Sequence, residues 1–215
     1  MKMEQLPAEP PERLETGQRQ MGVPPGVAAI EPVGTGAVCA VAATAQWQHI
    51  LAPDVGMLLI DRPPPVPVQA MRAALAAWPG RIGFDGPAEA LLPALAPLPA
   101  ALAADISDLA QRFQMLAGTL AIRLRCERIL GDACRKWHID YTDLRLVCTY
   151  AGPGTDWRDP ASGTERRLGL QQPALFKGRL FGDGAPLIEH RSPPIAGTGV
   201  QRLVLVIDTP QGPPV

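Results

Sequence analysis

The apolar pattern of this chain changes period at Leu120, and that change limits the folds open to it. From Ala100 to Leu120 the residues Leu102, Ile106, Leu109, Phe113, Leu116 and Leu120 recur at spacings of three and four. That spacing predicts one amphipathic helix with a single buried stripe. Asp105 and Asp108 fall early in it, where the helix dipole favours acids. From Ile122 onward the spacing is two: Ile122, Leu124 and Cys126 alternate with Arg123, Arg125 and Glu127, as in a half-buried strand. Helices first and strands afterwards predict an α+β fold, with N-terminal helices packed on a C-terminal sandwich or barrel.

The rest of the chain fits around that boundary. Residues 1–36 carry repeated prolines among Glu, Gln and Gly and read as a flexible lead-in. Residues 37–120 read as a mostly helical buttress. Ala37 onward is a short strand or the approach to a helix through Trp47 and Leu51, and Gly56–Asp61 is a buried strand stopped by Arg62-Pro63-Pro64-Pro65. Helices are expected over Val68–Trp78, ended by Pro79-Gly80, and over Ala88–Leu92. Residues 121–215 read as an antiparallel β-barrel, with 37–215 forming one domain. Its strands are expected at 122–130, 137–141, 144–150, 174–178, 187–191 and 201–208, with a polar loop over 156–170. The strongest is Gln201–Asp208. There Arg202, Val204 and Val206 share one face and Leu203, Leu205 and Ile207 the other, so both faces are covered.

Charge and composition exclude several classes of function. The net charge of −1 and the absence of basic runs argue against nucleic acid and anionic membranes as partners. No stretch reaches the apolar length of a membrane span, and Met1–Gln20 has no apolar signal core, so the cytoplasm is the expected location. The four cysteines, Cys39, Cys126, Cys134 and Cys148, form no C-x-x-C pair and are expected to stay reduced. Gly152-Pro153-Gly154-Thr155 is a turn, since no phosphate-loop Lys follows. Neither Ser162 nor Ser192 sits in a nucleophile elbow.

The chemistry gathers at His138 and Asp140. In a strand, residues two apart point to one face, so an imidazole and a carboxylate share one side of the sheet. The chain has three histidines, and His190 lies far along it on another expected strand. Two histidines and one carboxylate with open positions suit a mononuclear iron centre. Arg202, at the start of the last strand, could reach the barrel mouth, where its guanidinium fork would meet either a protein carboxylate or a ligand carboxylate. Other roles are open for each residue: a hydrogen-bonded core histidine at His138, a turn cap at Asp140, and pairing of Arg202 with Asp140 or Glu189. Cys134 and Cys148 are secondary metal candidates, since a thiolate–imidazole set with His138 would hold Zn(II).

The order His138-x-Asp140, then His190, then Arg202 resembles that of Fe(II)/2-oxoglutarate-dependent oxygenases over roughly residues 120–208. The resemblance implies a double-stranded β-helix, a jelly-roll or cupin-like barrel. His138, Asp140 and His190 would hold Fe(II), and Arg202 would bind the far carboxylate of 2-oxoglutarate. The chain also resembles a bacterial family, domain of unknown function 1826. This likeness rests on Asp132-Ala133-Cys134-Arg135-Lys136-Trp137-His138-Ile139-Asp140, on Arg145 through Trp157, and on His190-Arg191-Ser192-Pro193-Pro194 with Gln201-Arg202-Leu203. It implies an alternative: a zinc- or other divalent-metal-binding protein of metal homeostasis on the same barrel, without catalysis.

Overall fold

The computed structural model describes residues 37–42, 47–76, 78, 80–182 and 184–210. The lead-in expected over residues 1–36 lies outside them. The strands in chain order are β1 (Val38–Ala42), β2 (Met57–Asp61), β3 (Arg81–Gly86), β4 (Ile122–Ile129), β5 (Leu144–Ala151), β6 (Asp156–Asp159), β7 (Thr164–Arg167), β8 (Ala174–Lys177), β9 (Glu189–Arg191) and β10 (Arg202–Asp208). The α-helices are α1 (Val68–Ala76), α2 (Leu92–Leu95) and α3 (Ala100–Ala117). No described helix is long and apolar enough to cross a membrane.

The strands form two sheets. The larger has the order β1-β2-β8-β5-β10-β4-β3 and the smaller β7-β6-β9. Every pairing from β4 onward is antiparallel, while β1 and β2 run parallel at one edge of the large sheet. The alternation along β10 sorts its side chains as the sequence implies. Leu203, Leu205 and Ile207 join one apolar cluster with Leu102, Ile106, Leu109 and Phe113 of α3. Val204 and Val206 join a second cluster with Val147, Phe176 and, from the small sheet, Trp157. This second cluster is the filling between the sheets, and the candidate site opens at its rim.

Several expectations need correction. The two sheets remain separate among the described residues, so the barrel is not closed. Residues 37–120 contribute β1, β2 and β3 to the large sheet and are not simply a helical buttress. α3 stops at Ala117, where Gly118 takes a left-handed φ of 59°, a conformation glycine adopts at little cost. Leu120 is therefore outside the helix and exposed. Asp105 does not serve the helix terminus: it is buried, paired with Arg62 and bonded by the Tyr150 hydroxyl. The polar loop over 156–170 contains the hairpin β6–β7. Cross-strand charges hide it from a hydrophobic-pattern reading, with Asp156 opposite Arg167 and Arg158 opposite Glu165. The strand expected over 137–141 shrinks to one isolated bridge, His138 with His190.

Candidate metal centre

That single bridge is what brings the two histidines together. The His138 N–H donates to the His190 carbonyl at 3.1 Å, and the His190 N–H donates back to the His138 carbonyl at 3.0 Å. Residues bonded reciprocally in an antiparallel pair stand directly opposite each other, with their side chains on the same face. The imidazole centroids are 4.6 Å apart. Asp140, two residues beyond His138, shares that face. One ligand atom from each of His138, Asp140 and His190 lies within 4.8 Å of the others. It is the only such group of three or more His, Cys, Asp or Glu residues found among the described residues.

The neighbours of each candidate ligand set its chemistry. His138 Nδ1 lies 2.8 Å from the Lys136 carbonyl. A carbonyl only accepts, so the proton is on Nδ1 and the Nε2 lone pair is free to coordinate. His190 is buried, with Phe176 against its ring at 4.7 Å between centroids. Its Nε2 lies 2.9 Å from Asp140 Oδ2, yet Oδ2 has no hydrogen-bond partner among the described residues. His190 Nδ1 is likewise buried without a hydrogen-bond partner among the described residues, and at 2.9 Å the Nε2 and Oδ2 atoms are near enough to meet at one ion. Burial pushes the Asp140 carboxyl upward, and the contributions of His190, Arg145 and His138 outweigh that, leaving it below the usual carboxylate range. The carboxylate is thus ready to coordinate.

The loop carrying Asp140 is held from behind by residues 178–180. The N–H groups of Gly178, Arg179 and Leu180 donate to the carbonyls of Asp143, Asp140 and Thr142. A Cβ at Gly178 would meet the Thr142 carbonyl oxygen at 2.0 Å and the Asp140 carbonyl oxygen at 2.9 Å. Glycine is therefore required by close backbone approach. On the far side of the bridging segment, Trp137 lies under the guanidinium groups of Arg158 and Arg191, 4.8 and 4.2 Å from its ring centroid. Such stacking adds to the packing that fixes the segment.

Arg202 is 1% exposed, with its side chain on the inner face of β10. Its Nε donates to the Pro153 carbonyl at 2.8 Å, Nη1 to Ser192 Oγ at 2.8 Å, and Nη2 to Thr155 Oγ1 at 3.1 Å and Thr149 Oγ1 at 3.5 Å. All four acceptors are neutral. Asp140 and Glu189, the protein acids considered as its partners, pair instead with Arg145 and Arg158. Burial lowers the Arg202 guanidinium to about 10, with the charge of Asp156 acting the other way.

The secondary candidates do not join the centre. Cys148 is on the opposite face of β5, packed among Leu146, Tyr150 and the residues of α3. Burial pushes its thiol up to about 12, where it acts as a small hydrophobe. Cys134 is exposed and lies outside the converging group. The thiolate–imidazole zinc set is therefore not assembled. The residues that sequence reasoning did not single out are Gly178 and the pair Arg145 and Asp208. Arg145 contacts Asp140 Oδ1 through Nη1 and grips Asp208 with Nε and Nη2 at 2.6 and 2.8 Å. Arginine on the inner face of a central strand was the available signal, because a buried cation needs a partner.

Residues 85–208 match the family model described as Protein of unknown function (DUF1826), and the chain belongs to that family. No curated protein matches it. Among solved structures the chain is similar to the dioxygenase for auxin oxidation 1 from Arabidopsis thaliana in its 2-oxoglutarate complex. That identity is 11%, over 79% of this chain and 91% of that one, with a TM-score of 0.49. It is also similar to JOX2 in complex with 2OG, Fe and JA, at 11% identity over 88% and 80% of the two chains, with a TM-score of 0.48. A bsmA homolog from Methylobium petroleophilum is 16% identical over 79% of this chain and 93% of its own, with a TM-score of 0.44.

Proposed function

We propose that this chain is a mononuclear Fe(II)- and 2-oxoglutarate-dependent oxygenase on an open double-stranded β-helix. The observation that carries the reading is the convergence of His138, Asp140 and His190 at the rim of the inter-sheet filling. The donor set fits the metal: two imidazoles and one carboxylate, with Asp140 Oδ2 buried and without a hydrogen-bond partner among the described residues. Bound Fe(II) would offer its remaining positions to a 2-oxo acid and dioxygen.

The chain's own residues supply the rest. The Lys136 carbonyl keeps the His138 proton on Nδ1. Phe176, packed on the His190 ring, and Val147, Val204 and Val206 of the same apolar cluster lie behind the site, and a low-dielectric backing of this kind strengthens charge interactions at the rim. Arg202 is a buried cation whose hydrogen-bond acceptors are all neutral; the nearby acid Asp156 is paired with Arg167 and Arg191, so a ligand carboxylate would give Arg202 a direct counter-ion. A guanidinium has five N–H donors, so one remains available, and the 3.5 Å contact to Thr149 is the bond most easily exchanged.

The test is succinate formation from 2-oxoglutarate by protein loaded anaerobically with Fe(II) and then given oxygen. Succinate from the wild type and none above background from His138→Ala is the expected outcome. Equal succinate from both would overturn the reading.

A further inference from the structure

Asp140 has two oxygens in different situations. Oδ1 is in ionic contact with Arg145 Nη1 and lies 3.6 Å from His138 Nε2, whereas Oδ2 lies closer to the histidines, 2.9 Å from His190 Nε2, and has no arginine on it among the described residues. Arg145 is not free to follow a moving carboxylate. Asp208, opposite it in the β5–β10 register, holds Nε and Nη2 bidentately, and Arg125 reaches the same Asp208 at 3.3 Å. Three strands, β4, β5 and β10, therefore fix the guanidinium from behind, and the guanidinium occupies one oxygen of the ligand.

We propose that Arg145 is a positioning residue that holds Asp140 as a one-oxygen metal ligand, engaging Oδ1 so that only Oδ2 is presented to the ion. The inference rests on the metal reading above. Its consequence is coordination number: a carboxylate that binds through one oxygen leaves a position that a two-oxygen carboxylate would fill. The Asp208–Arg145 pair thus keeps room at the ion for exogenous ligands, although neither residue touches it.

The experiment uses Co(II) alone as the probe, added to full-length apoprotein, with affinity read by calorimetry and coordination by the visible absorption spectrum. Wild type is expected to bind one Co(II). Arg145→Gln is expected to bind about 10–100-fold more weakly, the usual size of an outer-shell effect, with a changed spectrum as Oδ1 joins the ion. Arg145→Lys restores the charge without the fork and should recover part of the affinity. Asp208→Asn loosens the clamp while keeping Arg145, so it should shift affinity and spectrum in the same direction by less; it carries the test if Arg145→Gln does not fold. A role in folding alone would lower thermal stability and leave the spectrum unchanged. If wild type binds Co(II) and the variants match it in affinity and spectrum, the positioning role is overturned and the metal reading stands. If wild type binds no Co(II), the metal reading fails and this inference fails with it.

Discussion

Arg202 Nη1 donates to the Ser192 hydroxyl at 2.8 Å, and Ser192 stands two residues beyond the metal-ligand candidate His190. Two residues of extended chain span roughly 6–7 Å, so one short segment connects the buried cation to the metal end of the site. Arg202→Ala is accordingly expected to weaken 2-oxoglutarate binding about 10–100-fold, the range for a charge-assisted contact. Fe(II) content should be unchanged. Anaerobic calorimetry with 2-oxoglutarate checks this, and parallel loss of Fe(II) from the variant would assign Arg202 a structural role instead.

Gly178 offers a way to disturb the site without touching a ligand. Its missing Cβ makes room for the Thr142 and Asp140 carbonyls, so Gly178→Ala must push the Asp140 loop outward. The expected outcome is weaker metal binding with His138 and His190 intact. Comparing the metal content of the variant with that of Gly83→Ala, on β3 at a position where a Cβ meets nothing and the backbone is not left-handed, separates the displacement from a general effect of alanine.

The other face of the large sheet gives a stability prediction. Arg62 and Asp105 are buried together, and the Tyr150 hydroxyl donates to the same carboxylate. Removing one partner of a buried pair strands the other charge, at a cost of about 3–5 kcal/mol. Asp105→Ala should show that loss in urea unfolding. Arg62→Met with Asp105→Leu, which removes both charges, should be much less destabilised.

Lys177 sets a pH dependence. Burial lowers its ammonium to about 8, with Asp54 acting weakly the other way, and its Nζ donates to the Ala52 carbonyl at 2.6 Å. Between about pH 8 and the ordinary lysine value near 10.4, the unfolded chain holds a proton that the folded chain has released. The unfolded state then binds more protons, so stability rises with pH across that window. Below the window both states are protonated and the burial cost is constant. Urea unfolding at pH 7.5 and at pH 9.5 should show this gain in the wild type and a smaller one in Lys177→Met.

What the sequence disclosed follows from which interactions are local. The α3 stripe and the two faces of β10 were legible because burial imposes a period on each element, and Leu109 or Leu205 reports its face by spacing alone. The β6–β7 hairpin was not, because Asp156, Arg158, Glu165 and Arg167 are matched across strands by charge, which leaves no apolar alternation to read. The triad was legible as a His138-x-Asp140 pair plus a distant His190, but their convergence depends on a two-residue bridge too short to carry any pattern. Gly178 was invisible as a site residue because its role exists only through the folded neighbours Thr142 and Asp140, and Arg145 on the inner face of β5 signalled a need for a partner without saying that the partners are Asp208 and Asp140. Cys148 was misleading for the same reason: proximity to His138 in sequence said nothing about which face of β5 its side chain would take.

The central claim is that His138, Asp140 and His190 together hold one Fe(II). Anaerobic titration of apoprotein with Fe(II), followed by measurement of retained iron after desalting, tests it most directly. One Fe(II) per chain in the wild type and none above background in His138→Ala, Asp140→Ala and His190→Ala, each with an unchanged fold by circular dichroism, is the predicted result. Iron retained in the variants at the wild-type level, or none retained by the wild type, would contradict it.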